Sequence, residues 1–223
     1  MPPPHPVPVR TLITVLKDGT TDSCRIVFCE AELGSVPLSR CKTCQFAGSP
    51  SNESAFGHTV DCALSLLPMG GHAAATTFPS TVAAALPVGL ALTGKLVCFE
   101  DSLPWAVARS RPQVPASQHA VPVVDHGGAL VGILPGTALT GAECGVPGAD
   151  ATRAADRAVA ATSVHESESL SDAFTAMSAR RARELTVVGD RLLVVGVLRD
   201  VDALRFVAHV ARTGSRPAPE RAA

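Results

Sequence analysis

The 223-residue chain has no tyrosine, one tryptophan and only 4% aromatic residues, which removes the stacking platforms that hold single-stranded nucleic acids. Charge of one sign is not abundant either. Nineteen Lys and Arg stand against twenty Asp and Glu, a net of −1, so there is neither a basic footprint for duplex nucleic acid nor a polybasic handle for anionic lipid. Long apolar runs are missing: the best, TVAAALPVGLALTG at 81–94, carries Pro87 and stops at Lys95, short of the roughly twenty residues a membrane helix needs. Catalytic signatures are absent as well. There is no G-x-S-x-G, no P-loop and no G-x-G-x-x-G, and the neighbouring His and Asp of GHTVDC and VVDHGG are chance spacings. The start, MPPPHPVPVR, is too rich in proline for a signal peptide, so the expected location is the cytoplasm. Together these absences point to a protein that is not an enzyme and recognises its partners locally. At 46% apolar residues the chain still has enough material for one or two packed domains.

Seven cysteines in a reducing compartment are expected to be thiols or metal ligands. Five of them, Cys24, Cys29, Cys41, Cys44 and Cys62, precede residue 72. Cys29, Cys41, Cys44 and Cys62 follow C-x11-C-x2-C-x17-C, where a Cys-x-x-Cys turn brings two thiolates to one ion and two flanking strands complete a tetrahedron around zinc. Cys24, His58 and His72 compete for ligand positions. Unmetallated structural thiols are the alternative, and Lys42 beside Cys41 is the one hint of a redox or iron–sulfur role. Cys98 and Cys144 stand alone and read as packing residues.

Beyond residue 72 the sequence repeats itself. HAVPVVDHGGALVGIL at 119–134 matches RELTVVGDRLLVVGVL at 183–198, each a β-rich run, a tight turn and a second β-rich run, with Gly132 and Gly196 at equivalent places. Upstream, Ser169 with Asp172 forms a helix N-cap signal, and Leu170, Phe174 and Met177 share one helical face. The first copy has Asp101 or Ser102 as a cap and Pro104 in the first helical turn. Each copy therefore reads strand, helix, hairpin, helix, the last clearest in DALRFVAHVAR.

A duplicated unit ending in PVVD…GALVGIL and TVVGDRLLVVGVLRDVDAL resembles the CBS domain, the regulatory module named after cystathionine β-synthase. The resemblance covers roughly residues 87–212. It implies an α/β fold, a tandem CBS pair of β-α-β-β-α repeats, preceded by a small cysteine-rich, zinc-ribbon-like domain. The expected order is a disordered tail over 1–10, the cysteine domain over 11–72, a linker over 73–86, CBS domain 1 over 87–145, CBS domain 2 over 152–212, and a second tail over 213–223. The family commonly forms dimers and holds adenosine-type nucleotides between the copies, through an Asp in a Gly-apolar-apolar-Ser/Thr-x-x-Asp pattern. Here the second copy reads Gly196-Val197-Leu198-Arg199-Asp200-Val201-Asp202. Asp202 fills the ribose position, while Arg199 replaces Ser or Thr and could clamp phosphate or block the cleft. Thr162, Val164, Leu185 and Thr186 are the expected walls. Gly132-Ile133-Leu134-Pro135-Gly136-Thr137-Ala138 in the first copy has lost both polar positions. The resemblance thus implies a regulatory protein with one candidate adenine-nucleotide site, or a homodimerising assembly module without a ligand. Arg180, Arg181 and Arg183 could steer phosphate to the site or simply end a helix. A DNA-reading role finds little support in the few basic residues of 11–72, and a thiol enzyme would react through Cys41 or Cys44 without metal.

Overall fold

A computed structural model describes residues 5–44, 47–50, 59–62, 79–92, 94–110, 114–115, 118–140 and 152–213. The chain opens with β1 (His5–Val15), β2 (Thr21–Cys29), β3 (Gly34–Pro37), a short helix α1 (Leu38–Cys41), β4 (Ala47–Pro50) and β5 (Thr59–Cys62). The β1–β2 turn is locally encoded. Gly19 takes φ +78, and the Asp18 carboxylate accepts from Thr20 N at 2.8 Å and Thr20 Oγ1 at 2.6 Å.

Two helices follow, α2 (Pro79–Ala85) and α3 (Val88–Ala91), and then the first repeat: β6 (Lys95–Glu100), α4 (Trp105–Ser110), β7 (Ala120–Val124), β8 (Leu130–Pro135) and α5 (Gly136–Thr140). A lead-in helix α6 (Ala154–Arg157) precedes the second repeat, which comprises β9 (Ser163–His165), α7 (Leu170–Arg180), β10 (Glu184–Val188), β11 (Val194–Arg199) and α8 (Asp200–Thr213). The strand, helix, hairpin, helix order expected for each copy is present. Val123 faces Gly132, Val187 faces Gly196, and both hairpins shift register immediately afterwards. Ser169 caps α7 by accepting from Asp172 N at 3.1 Å, and Leu170 and Met177 are buried beneath it.

The N-terminal strands do not stand apart from the repeats. β1 pairs in parallel with β6, giving one eight-stranded sheet whose main path runs β3-β2-β1-β6-β7-β8, with β5 on β1 and β4 on β5. The cysteine-rich segment and the first repeat therefore share a sheet, rather than forming the two units expected from composition. The tail expected over 1–10 is a strand from His5 onward. Its prolines are tolerated because residues 5–8 pair on one side only, with β5, leaving no ladder partner for the missing N–H. Within the linker expected over 73–86, α2 is a packed helix whose Ala83 lies in the same core as α7 and α8 residues; residues 63–78 lie outside the described residues, as do 141–151 and 214–223.

β2 has core on both faces of its C-terminal half. Ile26 and Phe28 join a cluster with Leu90 of α3 and with Leu170, Leu185, Leu198 and Phe206 of the second repeat, whereas Val27 packs with Val7, Val36 and Val60. The helix side of the first repeat is a separate cluster around Phe99, Trp105, Val121 and Leu134. Leu96, Cys98, Val124 and Val194 close the space between the repeats.

The lead-ins are exchanged. α3 docks on the second repeat, Val88 N and Gly89 N donating to Glu168 O and Glu166 O, while α6 docks on the first, Ala154 N and Ala155 N donating to Leu103 O and Asp101 O. Each hairpin glycine seats the lead-in of the other copy. A Cβ on Gly132 would meet Val159 O at 2.8 Å, and one on Gly196 would meet Leu92 Cδ1 at 2.7 Å.

Candidate functional site

Strand alternation divides the second repeat's small sheet into two faces. Leu185 pairs with Leu198 and Val187 with Gly196; Leu185, Val187, Leu198 and Val164 all lie in the core beneath α7 and α8. The intervening pairs, Glu184 with Arg199 and Thr186 with Val197, face the other way. That face looks to the first repeat, since Val194 and Val197 pack with Leu96, Cys98 and Val124. Of the six residues expected to hold a ligand, Arg199 and Thr186 are therefore on the cleft side, with half-buried Thr162 just ahead of β9, its carbonyl accepting from Thr186 N at 3.1 Å. Asp202 stands in the first turn of α8. Leu185 and Val164 are on the opposite face. Burial explains their apolar character, and their side chains do not wall the cleft.

Arg199 and Asp202 are bound to each other. Arg199 Nε donates to Asp202 Oδ2 at 2.6 Å, and the side chains keep 26% and 29% of their surface exposed. The arginine that replaces Ser or Thr thus orients the carboxylate at the start of α8, where a negative charge is favoured by the helix dipole. Two residues not singled out from the sequence join this place. Glu184, opposite Arg199 on β10, reaches toward His119 of the first repeat, with Oε2 3.5 Å from His119 Nδ1. Burial raises the Glu184 pKa, opposed by the backbone and ring of His119 and the backbone of Ala120. The repeat alignment carried the missed signal, because Ala120 occupies in the first copy the place of Glu184 in the second.

The first repeat lacks all of this chemistry. Pro122, Pro135 and Ala138 stand where the second has Thr186, Arg199 and Asp202, and Gly136 is closed in, its N–H donating to His119 O at 2.6 Å. Arg180, Arg181 and Arg183 are exposed around the end of α7, where Arg181 forms the left-handed cap at φ +51.

The fold brings the four expected zinc ligands to one end of the N-terminal sheet. Val27 pairs with Val9, Val60 with Val7, and Cys62 with His5, so alternation puts Cys29 and Cys62 on the face of those valines. Cys41 packs against the same valines from α1, and Cys44 N donates to Cys41 O at 3.3 Å. Burial raises the Cys41 thiol above its ordinary range, and the charges of Cys29, Cys44 and Cys62 add to the effect. Yet among the described residues no three Cys, His, Asp or Glu side chains form a group that could hold a metal ion. The expected tetrahedral cage is thus not shown among the described residues, where Cys29, Cys41 and Cys62 pack against a valine cluster. Cys24 is exposed and pairs with Leu12, at the other end of β2. His58 and His72 lie outside the described residues, as does Cys144. Cys98 is a packing residue as expected, its thiol pushed up to about 12 by complete burial. Among the described residues no helix is long and apolar enough to cross a membrane.

No protein-family model and no curated protein matches the chain. Solved structures similar to part of it include the CBS domain of a bacterial CNNM/CorC family Mg2+ transporter in complex with ATP, at 17% identity, covering 58% of this chain and 92% of that one, with a TM-score of 0.47. Others are the CBS domain pair of protein MJ0100 in complex with 5′-methylthioadenosine and S-adenosyl-L-methionine, at 21% identity over 56% and 97% with a TM-score of 0.44, and the CBS domain of a CBS domain containing membrane protein from Sphaerobacter thermophilus, at 19% identity over 57% and 91% with a TM-score of 0.44.

Proposed function

We propose that the chain is a non-catalytic regulatory protein built on a CBS-type pair, whose second repeat takes an adenine nucleotide in the cleft facing the first. One observation carries this reading: the ionised pair Arg199–Asp202 stands at the cleft where the other copy offers only Pro135 and Ala138. With Oδ2 held by Arg199, Asp202 presents Oδ1 to ribose hydroxyls, and the guanidinium plane suits a phosphate oxygen. Thr186 and Thr162 supply the polar side of the pocket. Binding at one copy only would bias how the two copies pack, and through that a partner or a second copy of the chain.

The test is thermal unfolding of the full chain with ATP, ADP or AMP. Saturation at a hundredfold excess over Kd should stabilise the fold by about 2.7 kcal/mol, and Asp202→Ala should remove the shift. Unchanged melting with all three nucleotides, or a shift that survives Asp202→Ala, would refute the reading. A second reading, a dimerisation module without a ligand, is favoured by α8, which exposes Val201 at 46% and Leu204 at 57% one turn apart. A dimer that Leu204→Glu dissociates, in a chain indifferent to nucleotide, would support it.

A further inference from the structure

We propose that Arg10, Ser35 and Glu166 are positioning residues for this cleft, so that nucleotide affinity in the second repeat is set partly by N-terminal strands that never touch the ligand. The inference rests on the nucleotide reading above. It starts from a weakness in the sheet: β9 has three residues and pairs only with β10, yet its beginning, after Thr162, forms one lip of the cleft. Such a strand is placed by whatever holds its far end.

That end is Glu166, 3% exposed and bonded on every side. Its N–H donates to Val188 O at 2.9 Å, and its carbonyl accepts from Gly89 N at 2.9 Å. The carboxylate accepts from Ser35 N through Oε1 at 2.7 Å and from Ser35 Oγ through Oε2. Ser35 has one hydroxyl proton and gives it to Glu166, so it accepts from Arg10, whose Nη2 lies 2.5 Å away. The second Nη of Arg10, which is also 3% exposed, donates to Val195 O at 3.1 Å. Val195 is the extra residue at the register shift of β11, four positions before Arg199.

A polar chain thus runs from one cleft strand, β11, through β1 and β3, to the other, β9. A glycine keeps its seat open: a Cβ on Gly189 would lie 2.8 Å from Glu166 Oε1. A buried carboxylate and guanidinium persist only with their partners in place, which makes the chain stiff rather than adaptable. Loss of Ser35 Oγ would break the link between β9 and β11 that runs outside β10, leaving the spacing of Thr162 and Arg199 to the β10 ladder alone.

The experiment is calorimetric titration of ATP into the full chain, well below its melting transition, alongside amide hydrogen exchange. Ser35→Ala and Glu166→Gln should each weaken ATP binding roughly ten-fold, equivalent to about 1.4 kcal/mol, and speed exchange over 162–166 and 194–199 while leaving 121–134 unchanged. Ser178→Ala, exposed on α7, should alter neither. If Glu166→Gln does not fold, Ser35→Ala decides, since it retains the backbone donor. Folded variants that bind ATP as tightly as the unsubstituted chain would overturn the proposal alone. An unsubstituted chain that does not bind ATP would overturn the nucleotide reading and this one with it.

Discussion

Glu184 shows how one side chain records the meeting of the two copies. Its Oε2 is buried and lacks a hydrogen-bond partner among the described residues, with the His119 ring at 3.5 Å and Arg199 as strand partner. Burial holds its pKa above the ordinary 4.5. A carboxyl group raised in this way contributes stability that is complete below its ordinary value and is lost as pH climbs through the raised one. Glu184→Gln mimics the protonated form at every pH. Its melting temperature should therefore match the unsubstituted chain near about pH 4 and exceed it increasingly toward about pH 7; a gap independent of pH would contradict the effect of burial. At this scale the sequence was read unevenly. Asp202, Arg199 and Thr186 are implied by the family resemblance, and alternation along β10 and β11 puts Arg199 and Thr186 on the face toward the first repeat. Leu185 and Val164 were misplaced, because a short motif does not say which face of a strand it occupies.

Among the elements, the exchanged lead-ins are the feature that local patterns conceal. Nothing within α3 or α6 states that it docks on the other copy. The glycines record that docking after the fact. A methyl group on Gly132 would press on the Val159 carbonyl at 2.8 Å, whereas one on Gly196 would press on the flexible end of Leu92. Gly132→Ala should cost about 1–3 kcal/mol in chemical unfolding, and Gly196→Ala distinctly less; equal costs would mean that the two seats are not distinguished by backbone against side chain. The hairpins were legible because turn residues and apolar alternation act within sixteen residues, whereas their shared register shift had no sequence signal. The thiol cluster was legible as a location, since spacing and strands brought Cys29, Cys41 and Cys62 together on one set of valines.

Across the whole molecule, β1 decides what can fold. It lies between β2 and β6 over residues 11–15, and its Val15 is buried in the same cluster as Trp105. A chain beginning at residue 79 would bare the inner edge of β6 and leave Phe28 missing from Gly89, whose absent Cβ makes room for that ring. Such a fragment is expected to lose cooperative unfolding and the buried-indole emission of Trp105, 2% exposed in the full chain; a sharp transition with buried Trp105 would show that the repeats stand alone. Composition pointed to separate units, since proline and cysteine cluster before residue 72. It missed the union because a parallel pairing leaves no local trace.

The partners in that pairing, Thr11 and Lys95, are separated by 84 residues. At ~5–20 residues per second of synthesis, the first strand waits roughly 4–17 s for its neighbour to emerge. During this interval only its own hairpin and β5 can satisfy its backbone, and closing so long a loop slows the search further. A nascent chain of this protein is therefore most exposed to mispairing with other copies between the synthesis of β1 and that of β6, and the one-sided prolines of β1 guard against such edge-to-edge association.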